Sequence, residues 1–343
     1  MKLSKRWVSL ISAILLILVM GRAEAYETLS ECLAESVDTA PEDMTIGELK
    51  AQCMETLKKV REGAEGLLPG DMPASETSIE PIDTRLEEEM ETDDAWFALT
   101  PHRPNYILPA VYNTSPNEAV YREADEEDQD VDNVEVKFQI SLKYLLFKDI
   151  FKNRGDVYIA YTNLSYWQAY DRDNSSPFRA TNHEPEAWLQ FDTDWHLFGI
   201  RSRLIQFGAW HQSNGRAEPL SRSWNRLYAN LIFEKGDFVF ALKPWWRIPE
   251  DDEDDNNPDI EKYLGYGEFR AAYKWQGHTF SMMLRNNLRT SGNKGALELG
   301  WSFPLYKKLK GYVQYFNGYG QSLLDYNDYA NTLGVGLVFS DIL

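Results

Sequence analysis

The chain has 343 residues, a formal net charge of −19 and an aromatic content of 13%. This length allows one large domain or two modest ones. The strong acidity argues against a nucleic-acid partner. The aromatic residues concentrate after residue 100, which separates an N-terminal part from the rest of the chain.

The first 25 residues are predicted to be a secretory signal peptide. A basic segment at 2–6 precedes an apolar stretch at 7–20, and Ala-Glu-Ala at 23–25 fits a cleavage site. The apolar stretch is short for a spanning helix, so we favour a cleaved signal over a retained membrane anchor. The protein is therefore expected to be exported.

Two further segments precede the aromatic-rich part. Residues 26–70 are predicted to form a small helical unit that contains Cys32 and Cys53, the two cysteines of the sequence. In an oxidising compartment these cysteines would form a disulfide between two helices. Residues 71–100 are acidic and are predicted to be a linker.

Residues 101–343 are predicted to be all-β, a twelve-stranded antiparallel transmembrane barrel. After the signal no stretch reads as a spanning apolar helix, and short alternating segments in an exported chain are typical of such barrels. In lipid every backbone amide must be paired, which helices and closed barrels achieve. The twelve predicted strands lie at 105–112, 135–147, 156–170, 185–197, 199–213, 222–235, 237–249, 262–275, 278–289, 295–305, 310–318 and 330–341.

The connections between these strands predict the orientation of the barrel. An even number of strands leaves both ends on one side, expected to be the periplasm. Connections such as 235–237 and 276–277 are tight, whereas connections such as 113–134 and 250–261 are longer and polar. Outer-membrane barrels show this alternation of short periplasmic turns and long outer loops. We therefore predict a location in the outer membrane of a Gram-negative cell.

The alternation of side chains predicts which face of the sheet meets lipid. Leu333, Val335, Leu337 and Phe339 share one face of the last predicted strand, because successive side chains point to opposite faces. A soluble sandwich would turn such a face inward. Here the opposite faces of several long strands carry charged residues, which favours a barrel with its apolar face in lipid. A soluble all-β fold stays as the alternative.

Three polar residues fall on the predicted lipid-facing rows near the outer rim. His211 and Ser213 are two apart on one strand, and Asn225 on the next strand can lie alongside His211. Polar strand ends at the interface would explain any one of them. The trio is costly on a lipid-facing surface without a purpose. A serine nucleophile needs a base, and the base needs a third group to orient it, so the trio indicates catalysis.

Several motifs around this trio recur in the order found in outer-membrane phospholipase A, which residues 100–343 resemble. They are Ser175-Ser176-Pro177-Phe178-Arg179, His211-x-Ser213-Asn214-Gly215-Arg216, Ser221-Arg222-Ser223-Trp224-Asn225, Asn257-Pro258-Asp259-Ile260, Lys262-Tyr263 and Gly318-Tyr319-Gly320-Gln321-Ser322-Leu323. The resemblance implies a phospholipase A1 and A2 that hydrolyses acyl esters at both glycerol positions, and lysophospholipids as well.

The resemblance also assigns roles to single positions. It makes Ser213 the nucleophile, His211 the base, Asn225 the third member of the triad and the Gly215 N–H an oxyanion donor. It further implies a homodimer that is active with Ca²⁺ at its interface. The implied calcium ligands are the carbonyl of Arg216, the hydroxyl of Ser221 and the carbonyl of Ser175 of the partner subunit, all oxygen donors of the kind that calcium prefers.

Two positions depart from the family pattern. Asn163 stands where the family has a glutamine that contacts its mate across the dimer interface. Glu218 stands where the family has an acidic residue, usually aspartate, near the calcium loop, and this change argues against a second calcium site within one subunit. Besides the enzyme, we consider a non-catalytic barrel, either a pore or a structural protein, because charged residues face the lumen. An adhesin or receptor that uses acidic outer loops ranks last.

Overall fold

The structure is a computed structural model that describes residues 81–82, 85, 99–120, 131–152, 154–172, 175–251, 253–306 and 309–341. The predicted signal peptide, the helical unit at 26–70 with Cys32 and Cys53, and most of the linker lie outside these residues and stay predictions. Within the described part, no helix is both long enough and apolar enough to cross a membrane.

The described residues include fourteen strands and the short helix α1 (Glu261–Leu264). The strands are β1 (Thr100–Pro101), β2 (Asn105–Asn113), β3 (Val134–Phe147), β4 (Asp156–Trp167), β5 (Phe178–Asp192), β6 (His196–Leu197), β7 (Ile200–Ser213), β8 (Ser223–Lys235), β9 (Phe238–Ile248), β10 (Gly267–Trp275), β11 (His278–Asn286), β12 (Gly295–Tyr306), β13 (Leu309–Tyr319) and β14 (Tyr329–Ser340).

The twelve longer strands close into an antiparallel barrel, which confirms the predicted fold. Each pairs with its neighbour in sequence, and β14 returns to pair with β2. Closure leaves no unpaired sheet edge, as a membrane-spanning sheet requires. The two short strands are extensions: β1 continues the line of β2 along β3, and β6 folds back on β7 in a tight turn.

Two predicted strands are misplaced by several residues. The strand predicted at 185–197 is β5, which spans Phe178–Asp192. Pro185, the first residue of the predicted strand, lies inside β5 opposite Tyr161 of β4. On the other side, pairing with β7 runs from His183 directly to Glu186, as expected where proline lacks an N–H. The predicted strand 262–275 also begins later, at Gly267, because α1 precedes it.

The outer wall of the barrel is apolar, as the alternation predicts. On β7, Trp210 and Gln212 are buried, whereas Phe207 on the opposite face is 44% exposed. Large apolar side chains exposed to the outside include Ile140, Ile159, Phe207, Leu227, Leu242, Trp246, Leu284, Leu299, Leu333 and Val335. Such a continuous apolar surface is stable in lipid and not in water. The alternative of a soluble all-β fold is therefore wrong.

Charged side chains fill the interior and pair with one another. The Arg179 guanidinium lies between the carboxylates of Glu135 and Asp325, with its Nε 2.8 Å from Glu135 Oε2. The ammonium group of Lys137 donates to Gln314 Oε1 at 2.6 Å. Burying charges is tolerable only where they are paired and hydrogen-bonded. This mutual pairing favours a closed, packed barrel over the wide channel of a pore.

The Arg179 pairings predict a large effect on stability. Replacing Arg179 with methionine leaves the Glu135 and Asp325 carboxylates buried without their cation, so Arg179→Met should lower the free energy of unfolding by about 3 kcal/mol. Chaotrope titration in detergent micelles, followed by tryptophan fluorescence, measures this change. The exposed Arg172 provides the control, since Arg172→Met should alter stability by less than about 0.5 kcal/mol. Equal stability of the two variants would contradict the account of the lumen.

Candidate active site

The hairpin formed by β7 and β8 brings His211 and Asn225 together. These residues are direct cross-strand partners in the ladder. Their side chains meet at 2.8 Å between His211 Nδ1 and Asn225 Oδ1. The amide oxygen can only accept, so Nδ1 carries the proton and Nε2 keeps its lone pair. The geometry therefore leaves His211 with a basic nitrogen available for a neighbouring proton.

Ser213 lies on the same face of β7 as His211, two residues along the strand, and pairs across the ladder with Ser223. Both Ser213 and His211 are half-buried on the outer wall, in the row of the exposed Phe207. Among the described residues, no hydrogen bond joins Ser213 Oγ to His211 Nε2. Catalytic hydrogen bonds of this kind often close only when substrate is bound, so the arrangement still fits a nucleophile and its base.

Glu250 also belongs to this cluster, although it was not predicted from the sequence. Asn225 Nδ2 donates to Glu250 Oε1 at 2.9 Å. Because the amide nitrogen is engaged there, the amide oxygen is the atom that faces His211. Glu250 follows β9 by two residues, and Ile248 at the end of β9 is the ladder partner of Asn225. If the strand predicted at 237–249 had included residue 250, the alternation of side chains would have placed Glu250 on the same face as Ile248, next to Asn225.

His183 is a second residue near the site that was not predicted from the sequence. It lies on β5 directly opposite Ser213, and its Nδ1 is 2.6 Å from the hydroxyl of Tyr161 on β4. A side-chain carbon added to Gly215 would come within 3.3 Å of the His183 ring. His183 therefore borders the predicted oxyanion donor. Only the register between β5 and β7 reveals this, and the misplaced start of β5 concealed it.

The loop between β7 and β8 holds Gly215 in a defined position. Gly215 has φ +65°, a conformation that favours glycine. Asn214 closes the loop, because its Oδ1 accepts from the backbone N–H groups of Arg216 and Arg222, and its Nδ2 donates to the carbonyl of Leu220. The loop thus fixes the backbone next to Ser213 without help from a ligand.

Two of the predicted calcium ligands, Arg216 and Ser221, lie in this same loop. Ser221 Oγ and Glu218 Oε1 both lie within hydrogen-bonding distance of the Asn256 side-chain amide, at 3.0 Å and 3.3 Å. The two oxygens therefore converge on one donor. The described residues contain no cluster of three His, Cys, Asp or Glu side chains that could hold a metal ion.

Ser175 lies in the neighbouring outer loop, before β5. It adopts φ +58°, which is uncommon for a residue other than glycine. The Arg216 guanidinium donates to the carbonyls of Phe178 and Arg179, so the loop that carries Arg216 is tied to the start of β5. The structure therefore brings the chain segments that contain the predicted ligands to the same rim of the barrel.

Asn163 lies on β4 in the cross-strand row that runs through His183 to Ser213. Its Oδ1 accepts a hydrogen bond from Ser165 Oγ at 2.9 Å, and the residue is half-buried on the outer wall. The predicted interface residue therefore faces outward, where a second barrel could reach it.

Comparison with known proteins relates this geometry to one family. The sequence model of the family described as phospholipase A1 matches residues 82–339. The phospholipase A1 of Escherichia coli strain K12 is 38% identical over 274 residues, which cover 79% of this chain and 90% of that protein. The solved outer membrane phospholipase A from Escherichia coli superposes with a TM-score of 0.68 at 36% identity, over 72% of this chain and 100% of that one.

A second solved structure, the outer membrane phospholipase dimer of Salmonella typhi with bound calcium, superposes with a TM-score of 0.69. It is 36% identical and covers 75% of this chain and 97% of its own. The similarity to both solved structures spans the barrel that carries His211, Ser213 and Asn225.

The contact between His211 and Asn225 predicts how fast Ser213 reacts with a sulfonyl fluoride. Asn225→Ala removes the acceptor that fixes the His211 tautomer, so the rate of sulfonylation should fall about tenfold, the equivalent of one lost hydrogen bond. The label is quantified by mass spectrometry over time. Asn230 on the same strand donates to Gln206 in the interior, at 2.8 Å. Asn230→Ala should leave the rate within about twofold, and an equal fall in both variants would contradict a specific role of Asn225.

Proposed function

This chain belongs to the phospholipase A1 family and is an outer-membrane β-barrel enzyme, and from that premise we propose that it hydrolyses phospholipid acyl esters with a triad of Ser213, His211 and Asn225. The observation that carries the proposal is the 2.8 Å contact of His211 Nδ1 with Asn225 Oδ1 on the lipid-facing wall. Ser213 shares that wall, two residues from His211.

The proposed reaction begins with attack of Ser213 Oγ on the ester carbonyl carbon. His211 Nε2 takes the hydroxyl proton, and Asn225 Oδ1 holds the resulting imidazolium through its Nδ1–H. The backbone N–H of Gly215 donates to the oxyanion of the tetrahedral intermediate. The intermediate collapses as His211 returns the proton to the leaving glycerol oxygen, and an acyl ester of Ser213 remains.

The second half of the reaction uses the same groups in reverse order. A water molecule gives a proton to His211 Nε2 as its oxygen attacks the acyl carbon. Collapse of this intermediate releases the fatty acid and returns the proton to Ser213 Oγ. The site thus regains its starting state, and one water molecule is consumed for each ester bond broken.

The position of the triad favours lipid substrates. The row that holds His211 and Ser213 continues through Ala209 and Phe207 down the apolar wall. An acyl chain in the outer leaflet could lie along this wall while its ester group reaches Ser213 near the rim. We propose, in line with the resemblance to the family, that the site hydrolyses both glycerol positions and lysophospholipids.

The oxygen atoms in the loop between β7 and β8 fit a calcium ion. Ser221 Oγ and Glu218 Oε1 lie close together, because both accept from the side-chain amide of Asn256. Calcium prefers oxygen ligands of this type. We propose that the Arg216 carbonyl and the Ser221 hydroxyl hold the ion with the carbonyl of Ser175 of the partner subunit. When bound, calcium would add positive charge that stabilises the developing oxyanion.

A homodimer would complete this site, since one ligand is proposed to come from the second subunit. The related phospholipase of Salmonella typhi is a dimer with bound calcium. Asn163 faces outward on the row that leads to Ser213, in a position to meet its mate across a two-fold axis. We propose that this contact contributes to the active dimer, with a shorter amide than the glutamine of the family.

Replacing the nucleophile tests the enzyme directly. Ser213→Ala removes the attacking oxygen, so release of fatty acid from phospholipid in mixed micelles should fall by at least about 10³-fold. The folded barrel should remain, as judged by its gel mobility without heating. Ser223→Ala, which alters the cross-strand neighbour of Ser213, is the matched control and should retain activity. Undiminished acyl release by Ser213→Ala would exclude the proposed mechanism.

Calcium removal provides an independent prediction. Excess chelator should abolish acyl release, because the proposed oxyanion stabilisation needs the ion, and added calcium should restore it. Ser221→Ala removes one ligand and should raise the calcium concentration needed for half-maximal activity by about tenfold. Rates that do not change in excess chelator would remove the metal from the mechanism.

A further inference from the structure

We propose that Glu250 is a positioning residue of the active site, which acts on His211 through Asn225 and supplies the negative charge that the amide lacks. This inference rests on the proposed triad. It concerns a side chain outside that triad, in the loop that follows β9. The structure joins the three groups in one chain of hydrogen bonds, from Glu250 through Asn225 to His211.

The contacts fix the direction of each hydrogen bond in this chain. Asn225 donates through Nδ2 to Glu250 Oε1 at 2.9 Å and accepts through Oδ1 from His211 Nδ1 at 2.8 Å. Both ends of one amide group are therefore engaged. The carboxylate cannot donate, so a flipped amide would place two acceptors face to face at Glu250. Glu250 thereby selects the Asn225 orientation that His211 needs.

No ion pair within the described residues neutralises the charge of Glu250. Its carboxylate has no ion-pair partner in the described part of the chain, and its one side-chain hydrogen bond there comes from Asn225. Asp255 in the same loop contrasts with it, because Asp255 Oδ1 pairs with the Arg247 guanidinium at 2.6 Å. Glu250 is half-buried, so solvent screens it only in part.

A negative charge on Glu250 would stabilise the protonated form of His211. His211 becomes a cation when it accepts the Ser213 proton, and a neutral amide stabilises that cation less than a carboxylate would. A hydrogen bond to an ionised acceptor is stronger than a neutral one, and linked hydrogen bonds polarise one another. The Glu250 carboxylate would therefore push electron density toward Asn225 Oδ1 and so stabilise the imidazolium in the transition state.

A purely structural role makes a different prediction, and Glu250→Gln separates the two. Glutamine can still accept the Asn225 hydrogen bond through its own amide oxygen, but it has no charge. We expect kcat to fall about tenfold with KM and unfolding stability unchanged, because the loss is confined to the transition state. Glu250→Asp, which keeps the charge on a shorter side chain, should recover part of kcat.

A second substitution tests whether the charge acts through residue 225. In the Glu250→Gln background, Asn225→Asp moves the negative charge next to His211 and should restore at least half of the lost activity. In the otherwise unchanged protein, the same Asn225→Asp substitution sets two carboxylates side by side and should reduce kcat. A substitution that is favourable in one background and unfavourable in the other identifies electrostatic coupling.

The controls distinguish failure of this inference from failure of the triad. Glu253→Gln removes an exposed charge from the same loop and should leave kcat unchanged. If Ser213→Ala is inactive while Glu250→Gln keeps kcat within twofold of the unchanged protein, the triad stands and the role of Glu250 is wrong. The same holds if Asn225→Asp lowers activity equally in both backgrounds. If Ser213→Ala stays active, the proposed function itself fails.

Discussion

The active-site geometry depends on the register of the hairpin between β7 and β8. Because His211 and Asn225 are direct partners in that ladder, their side chains leave the sheet side by side on the outer wall. A slip of one residue would turn one of them into the lumen, since alternate side chains face opposite sides. The buried pair Trp210 and Arg226 on the opposite face opposes such a slip, because it would expose both to lipid. The packing of the interior thus fixes the geometry of the proposed triad on the outer wall.

Placement on the outer wall raises the free-energy cost of polar side chains whose hydrogen bonds are not satisfied. His211, Ser213 and Asn225 meet a membrane rather than water, and their hydrogen-bonding capacity must be satisfied locally. The structure meets this need for Asn225 and for Nδ1 of His211 with a sequence of contacts that runs from Glu250 to His211, and the neighbouring Tyr161 and His183 pair with each other. A water-excluding surface strengthens such contacts, and this favours a fixed orientation of the proposed catalytic groups.

Alternation of side chains was sufficient to predict the barrel, its outward apolar face and the shared row of His211, Ser213 and Asn225, because these features follow from local periodicity. It misplaced the start of β5, since the pairing of residues 178–184 with β4 was not visible in the sequence. His183 and Glu250 were missed for different reasons. His183 reaches the site through the register between β5 and β7, which no local pattern records, whereas Glu250 lies one residue beyond the end of the strand predicted at 237–249.

The central claim is that the nucleophile lies on the lipid side of the wall, and labelling with a reagent dissolved in the lipid tests it most directly. Protein in native outer membranes is treated with a long-chain alkyl sulfonyl fluoride that partitions into lipid, and the modified residue is mapped by mass spectrometry. The account predicts one sulfonyl group per chain, on Ser213, with acyl release lost in proportion to labelling. Loss of acyl release with the label on a lumen-facing side chain, or with Ser213 unmodified, would contradict it.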